Sequence, residues 1–264
     1  MEPATNSTPP DTRPIALVTF DLYDTLIELT PPRWERLAAV CRRLGLAADP
    51  AALLASDRVA EDYYTEENTI RPIRDRTAAE REAFRLTLMG RWLRSAGLPD
   101  DPETTQAARR AYLAEFEADA DGGNYRVFPD VMPALERLRA AGVKRAVISN
   151  ADADVTALCT RLAFAHGMDA IITSALVGYE KPDPRTFRAA LDHPAIATHP
   201  ADALHIGDQP RSDVVGAVGV GMRAALIDRY DRHADGAHPA WRVGSLLDLV
   251  DRVLAHNAAC LTRA

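Results

Sequence analysis

The chain has 264 residues, 47% of them apolar, and a formal net charge of −7 at neutral pH. That length supports one large or two modest domains with a sizeable core, and the acidic balance argues against nucleic acid as a partner, because phosphate binding draws on an excess of Lys and Arg. Cys41, Cys159 and Cys260 are too few and too widely spaced for a disulfide scaffold or a zinc site, which fits a reducing cytosol.

The first stretch, "MEPATNSTPPDTRP", has no basic start followed by an apolar run. No signal peptide is expected there, and residues 1–13 are expected to form a disordered arm. "IALVTF", 15–20, is short, apolar and rich in β-formers, which predicts a buried strand. It runs straight into "DLYDTL", so a carboxylate, Asp21, stands at the strand's end. Pro31-Pro32 then opens a helical pattern in which Trp34, Leu37, Ala38 and Cys41 recur on one face, with Gly45 as its stop. Three more helical patterns follow, in "PAALLASDRVAEDYYTEEN", "AAEREAFRLTLMGRWLRSAG" and "PETTQAARRAYLAEFEADA". Residues 30–120 therefore read as four helices without a strand, and "DGGN", 121–124, as a hinge-like break.

Beyond that break, strands alternate with helices. "VKRAVISN", "DAIITSALV", "ADALHIGD" and "MRAALID" read as strands, and "PDVMPALERLRAAG", "DADVTALCTRLAF", "DPRTFRAALD", "SDVVGAVGVG" and "VGSLLDLVDRVLAHN" as helices. This alternation predicts an α/β protein with a doubly wound parallel sheet. The expected division is an arm at 1–13, an α/β core at 14–28 and 124–264, and an all-helical insert at 29–123.

In such a sheet the strand ends converge on one crevice. Here they carry Asp21, Ser149-Asn150 and Asp208, with Asp213 five residues further on. "GYEKPDP" adds Lys181, which stands out in a chain with 29 arginines and two lysines. Three carboxylates and an ammonium in one crevice are costly unless a cation or a phosphate belongs among them. Hard oxygen donors suit Mg²⁺. A hydroxyl, loop N–H groups and a lysine suit phosphate oxygens. Asp21 is then available as a nucleophile.

These segments resemble the motifs of the haloacid dehalogenase superfamily of hydrolases. "FDLYDTL" looks like the first, "VISN" the second, "KPDP" the third, and "HIGDQPRSDVVGA" the fourth, GDxxxxD. The resemblance implies a Rossmann-like core with a helical cap inserted after the first motif. It implies a nucleophile at Asp21, a phosphate site supported by Thr25, Ser149 and Lys181, and Mg²⁺ held by Asp21, the Tyr23 carbonyl, Asp208 and Asp213. Phosphatases of the family place a second Asp two residues after the nucleophile, as general acid and base. Here that residue is Tyr23, as in the 2-haloacid dehalogenase branch, and Asp24 stands one step beyond. The acidic fourth motif is phosphatase-like.

The expected activity is Mg²⁺-dependent hydrolysis of a small phosphomonoester through an aspartyl phosphate. A dehalogenase-like hydrolase acting at carbon and a non-catalytic binding protein of the same fold are the alternatives. The expected partner is a small phosphorylated molecule, with no nucleic acid or membrane, in a cytoplasmic monomer or homodimer. For substrate contacts Asp24, Trp34 and Arg71 are candidates. Glu61, Asp62, Tyr63, Tyr64, Glu66 and Glu67 are candidate acids of the insert, which contains no histidine.

Overall fold

The computed structural model describes residues 13–117, 123–233 and 241–262. The predicted arm, apart from Arg13, and the Asp121-Gly122 half of the expected hinge lie outside them. Six strands form one parallel sheet: β1 (Leu17–Phe20), β4 (Lys144–Ser149), β5 (Ala170–Thr173), β6 (Ala203–Gly207), β7 (Arg223–Ile227) and β8 (Trp241–Val243), in the order β5-β4-β1-β6-β7-β8. β2 (Ile27–Leu29) and β3 (Tyr125–Val127) pair separately as an antiparallel ribbon. Three-residue strands are too short for side-chain alternation to reveal, so β2, β3 and β8 were not predicted.

The strand faces alternate as a pleated backbone requires. Val18 and Phe20 of β1 join one apolar layer with Val147, Ile206 and Ile227. Leu17 joins the other, with Ala146, Ile148 and Leu226. Helix α5 (Val131–Ala140), α6 (Thr156–Arg161) and α10 (Leu246–Leu261) cover the first face, and α8 (Pro184–Leu191) with α9 (Gly216–Gly219) the second. Between β5 and α8 lies α7 (Ser174–Val177), a single helical turn. The predicted strand over 169–177 thus ends at Thr173, and the helix predicted over 212–221 begins as a π-helical turn, Pro210–Val215.

Between the two ribbon strands stand α1 (Arg33–Arg43), α2 (Pro50–Ile70), α3 (Ala78–Ser95) and α4 (Pro102–Glu117). Asp49 caps α2 through the Ala51 amide, with Pro50 in the first helical position, and Thr77 with Glu80 makes a capping box on α3. The four helices close around Leu37, Leu53, Trp92 and Leu93. Sequence order in the sheet reverses on either side of β1, whose neighbours are β4 and β6. A crevice therefore opens at the carboxyl ends of these three strands.

Candidate active site

Asp21 follows β1 directly, and its amide continues the ladder by donating to the Ile206 carbonyl at 2.8 Å. The alternation that turns Leu17 into the second layer also turns Thr19 and Asp21 that way. On β6 the same face carries His205 and Gly207. A buried polar chain runs along this face. Lys181 Nζ donates to Asp21 Oδ1 at 2.5 Å and to Asp213 Oδ1 at 2.7 Å. His205 Nε2 lies 3.1 Å from Asp213 Oδ1, and its Nδ1 2.8 Å from Thr19 Oγ1. A carboxylate only accepts, so Nε2 carries the His205 proton. Burial pushes His205 down, against the pull of Asp213, and keeps the ring neutral.

The glycine of "IGD" has a spatial reason. A Cβ on Gly207 would sit 2.2 Å from Asp213 Cγ, so only glycine lets this carboxylate lie against β6. The Gln209 amide donates to Asp213 Oδ2 at 3.0 Å. Burial raises the carboxyl, but Lys181 and His205 outweigh it and hold Asp213 below its ordinary range. Asp21 has fewer partners. Burial pushes it up to about 7, with Lys181 pulling the other way. Lys181 is desolvated too, yet its two carboxylates raise it to about 12, so it stays an ammonium.

Carboxylate oxygens of Asp21, Asp208 and Asp213 lie within 4.8 Å of one another, all buried. Burial pushes Asp208 well above its ordinary value, with Arg232 opposing. Hard, anionic oxygen donors with this crowding fit a divalent cation, which would draw both raised carboxyls back toward ionisation. At the end of β4 and four residues after Asp21, two hydroxyls, Ser149 Oγ and Thr25 Oγ1, are buried without a hydrogen-bond partner among the described residues. Such donors fit incoming anionic oxygens. The Asn150 side chain locks the Lys181 backbone on both sides, donating to its carbonyl at 2.9 Å and accepting from its amide at 2.7 Å. Its part is to fix the lysine loop.

A cavity of about 330 Å³ opens from this cluster toward the helical insert. Asp21, Tyr23, Asp24, Asn150, Lys181, Asp208 and Asp213 line it. The Tyr23 ring packs at 5.5 Å against Tyr125 of β3, the two planes tilted by 52°, and burial pushes its hydroxyl well above the ordinary tyrosine value, so it does not ionise. Asp24 turns the chain with φ 55° and pairs with Arg33 at 3.3 Å.

The remaining predicted contacts are placed elsewhere. Trp34 is buried in the insert, edge-on to Tyr230 at 4.6 Å, and not on the cavity wall. Arg71 is exposed and holds Glu80 at 2.8 Å, stabilising the start of α3. Neither is among the residues that line the cavity: helical spacing gives Trp34 the insert's core, and a local capping carboxylate engages Arg71. Among the insert acids, Glu61 and Tyr64 line the cavity. Glu66 pairs with Arg211, Glu67 with Arg76, and Asp62 with Arg58, while Tyr63 stacks on Phe84.

Sequence reasoning missed the segment after β7, "DRYDRH". Arg232 Nη2 donates to Asp208 Oδ2 at 2.7 Å and Nη1 to Asp57 Oδ2 of α2 at 2.6 Å. Arg33 of α1 grips the same Asp57 with two bonds, at 2.9 and 2.7 Å. Burial opposes ionisation of Asp57, but the two guanidiniums prevail and hold it below its ordinary range. Arg229 reaches the Thr25 carbonyl and Asp130, and the Tyr230 hydroxyl donates to Glu28 of β2. The only signal in the sequence is a polar run directly after a buried strand.

The family model described as haloacid dehalogenase-like hydrolase matches residues 15–221. The mouse haloacid dehalogenase-like hydrolase domain-containing protein 3 is 31% identical over 80% of this chain and 81% of its own length. A glyceraldehyde 3-phosphate phosphatase of Methanopyrus kandleri is 29% identical over 81% of this chain and 84% of its own. Among solved structures, a 2-haloacid dehalogenase from Pseudomonas syringae is 28% identical with a TM-score of 0.51, covering 91% of this chain and 98% of that one.

Proposed function

Since the chain belongs to the haloacid dehalogenase-like hydrolase family, we propose that it hydrolyses a small phosphomonoester through an aspartyl phosphate on Asp21. The observation that carries this reading is the crowding of Asp21, Asp208 and Asp213, two of them bonded to Lys181; the buried, unpartnered hydroxyls of Ser149, at the end of β4, and Thr25, four residues after Asp21, add to it. Its similarity to a phosphatase supports it. Asp21, Asp208, Asp213 and the Tyr23 carbonyl would hold Mg²⁺, which when bound supplies charge neutralisation at the phosphoryl oxygens.

The chain's own residues perform the rest. Asp21 attacks phosphorus, and the bond from phosphorus to the leaving oxygen breaks. Lys181, Ser149 and Thr25 stabilise the charge that develops on the phosphoryl oxygens. Water then attacks the acyl phosphate, and orthophosphate leaves with Asp21 restored. The helical insert, acting as a cap, excludes bulk water from the cavity during both steps.

A second reading, displacement of halide at carbon, is favoured by two observations. Tyr23 occupies the place of a second acid, and Arg232 already gives Asp208 a counter-charge. Release of inorganic phosphate from phosphoserine, glycerol phosphate and 4-nitrophenyl phosphate, with Mg²⁺ and then with EDTA, separates the two. The expected result is Mg²⁺-dependent turnover that falls by ~10⁴–10⁶-fold in Asp21→Asn. Chloride release from 2-chloropropionate that survives EDTA, with no phosphate released from any ester, overturns the phosphatase reading.

A further inference from the structure

A displaced alkoxide needs a proton, and the place next to the nucleophile holds a tyrosine that keeps its own. The cavity wall offers Tyr23, Tyr64, Tyr125, Asp24 and Glu61 as groups that could carry one. Burial raises all three phenols above their ordinary value, which removes them from useful exchange near neutral pH.

The two carboxyls are decided by counting donors. Arg33 and Arg232 face four carboxyl groups: Asp24, Asp57, Glu61 and Asp208. Arg33 commits Nε and Nη2 to Asp57. Its remaining nitrogen, Nη1, stands 3.0 Å from Glu61 and 3.3 Å from Asp24. Arg232 commits both terminal nitrogens to Asp57 and Asp208, and the second also stands 3.9 Å from Asp24. Asp24 thus sees two cations and Glu61 one, and that one is shared. Two guanidinium charges thus face four carboxyl groups, Asp57 and Asp208 buried and Asp24 and Glu61 partly buried, so the least compensated group, Glu61, keeps a proton. Burial acts in the same direction, raising Glu61 against the pull of Arg33. Asp57, one turn earlier on α2, and Asp24 add repulsion, and Arg232 adds attraction.

Glu61 is also placed to use that proton. On α2 it shares the cavity-facing side with Ala60, Tyr64 and Thr65. We propose that Glu61 is a catalytic acid supplied by the helical insert, protonating the leaving oxygen as its bond to phosphorus breaks; this rests on the aspartyl-phosphate reading. The proton moves from the Glu61 carboxyl to the departing alkoxide, giving a neutral alcohol and a carboxylate that Arg33 stabilises. Glu61 then accepts a proton from the water that attacks the acyl phosphate, which returns it to its starting state.

The experiment follows first-turnover release of the alcohol with Mg²⁺ in wild type, Glu61→Gln and Glu61→Asp. 4-Nitrophenyl phosphate, whose leaving group is acidic, is one probe, and glycerol phosphate, whose leaving group is not, is the other. In Glu61→Gln, 4-nitrophenolate release is expected to stay within about tenfold of wild type, and glycerol release to fall by ~10²–10⁴-fold. Glu61→Asp is expected to recover part of the glycerol release, because it restores an acid on a shorter stem. Equal loss with both probes, or no loss with either, overturns the role of Glu61. Turnover of 4-nitrophenyl phosphate by Asp21→Asn overturns the aspartyl-phosphate reading instead, so the two failures are distinct.

Discussion

Lys181 and Arg232 are both buried cations that join two carboxylates, yet they do different work. Lys181 links Asp21 and Asp213, and all three stand on segments that follow strands of one sheet or lead into its helices. The backbone hydrogen bonds of β1 and β6 fix that node, and Asn150 fixes the lysine loop. Arg232 instead links Asp208 of the core to Asp57 of the insert. This second node exists only while insert and core lie against each other. The first is therefore built to hold reacting groups still, and the second to tie the helices to the site.

The comparison can be broken at either node. The largest effect is expected from Lys181→Met, which leaves Asp21 and Asp213 facing each other without their shared cation. Breaking a buried pair in this way costs about 3–5 kcal/mol, read as a lower urea midpoint at neutral pH, together with loss of turnover. Next comes Gly207→Ala, whose new methyl meets Asp213 at 2.2 Å. Overpacking of this kind costs about 1–3 kcal/mol. Thermal unfolding measures that loss, and Mg²⁺ titration of the same variant should show weakened binding. A variant of wild-type stability and Mg²⁺ affinity would show that the Lys181 node is not rigid.

Asp57→Asn addresses the second node, where hydrogen bonds to charged groups contribute about 1.5–3 kcal/mol. Because the folded protein holds Asp57 below its ordinary range, its contribution is fully present above the unfolded carboxyl value near ~3.9. It is lost as pH falls through the lower folded value. Wild type should thus be more stable than the variant at pH 6, and the gap in urea midpoint should close on acidification. A constant gap would mean that the charge of Asp57 is not what stabilises the contact. The smallest effect is expected from Arg71→Ala, which removes an exposed, solvent-screened pair with Glu80 and should leave the urea midpoint close to that of wild type. A large loss of turnover in that variant would return Arg71 to the substrate site.

The first node was legible before any coordinates. A buried strand ending on Asp21, another ending on Ser149, a rare lysine at 181 and the Asp208–Asp213 spacing each leave a local trace, because period-two alternation and strand ends are local properties. Thr19 and His205 leave a weaker one: polar residues at inward positions of buried strands. The second node leaves almost none. Arg33, Asp57 and Arg232 come from the first helix, the second helix and a loop about 175 residues from Asp57, and each alone reads as an ordinary surface charge. The same applies to Glu61, which the sequence grouped with five neighbours on one helix. Only the helix's rotation against the core separates it from Asp62 and Glu66.

The sequence by itself determined the parallel sheet, the helical insert and the identity of the core residues at the strand ends. Hydrophobic periodicity, capping residues and strand length are written within short windows. The tertiary structure alone decided which of 29 arginines are buried and what they neutralise. It also decided why Gly207 must lack a side chain and which insert carboxyl faces the cavity. Those outcomes depend on the packing of distant segments and on how few cations the closed interior offers its carboxylates.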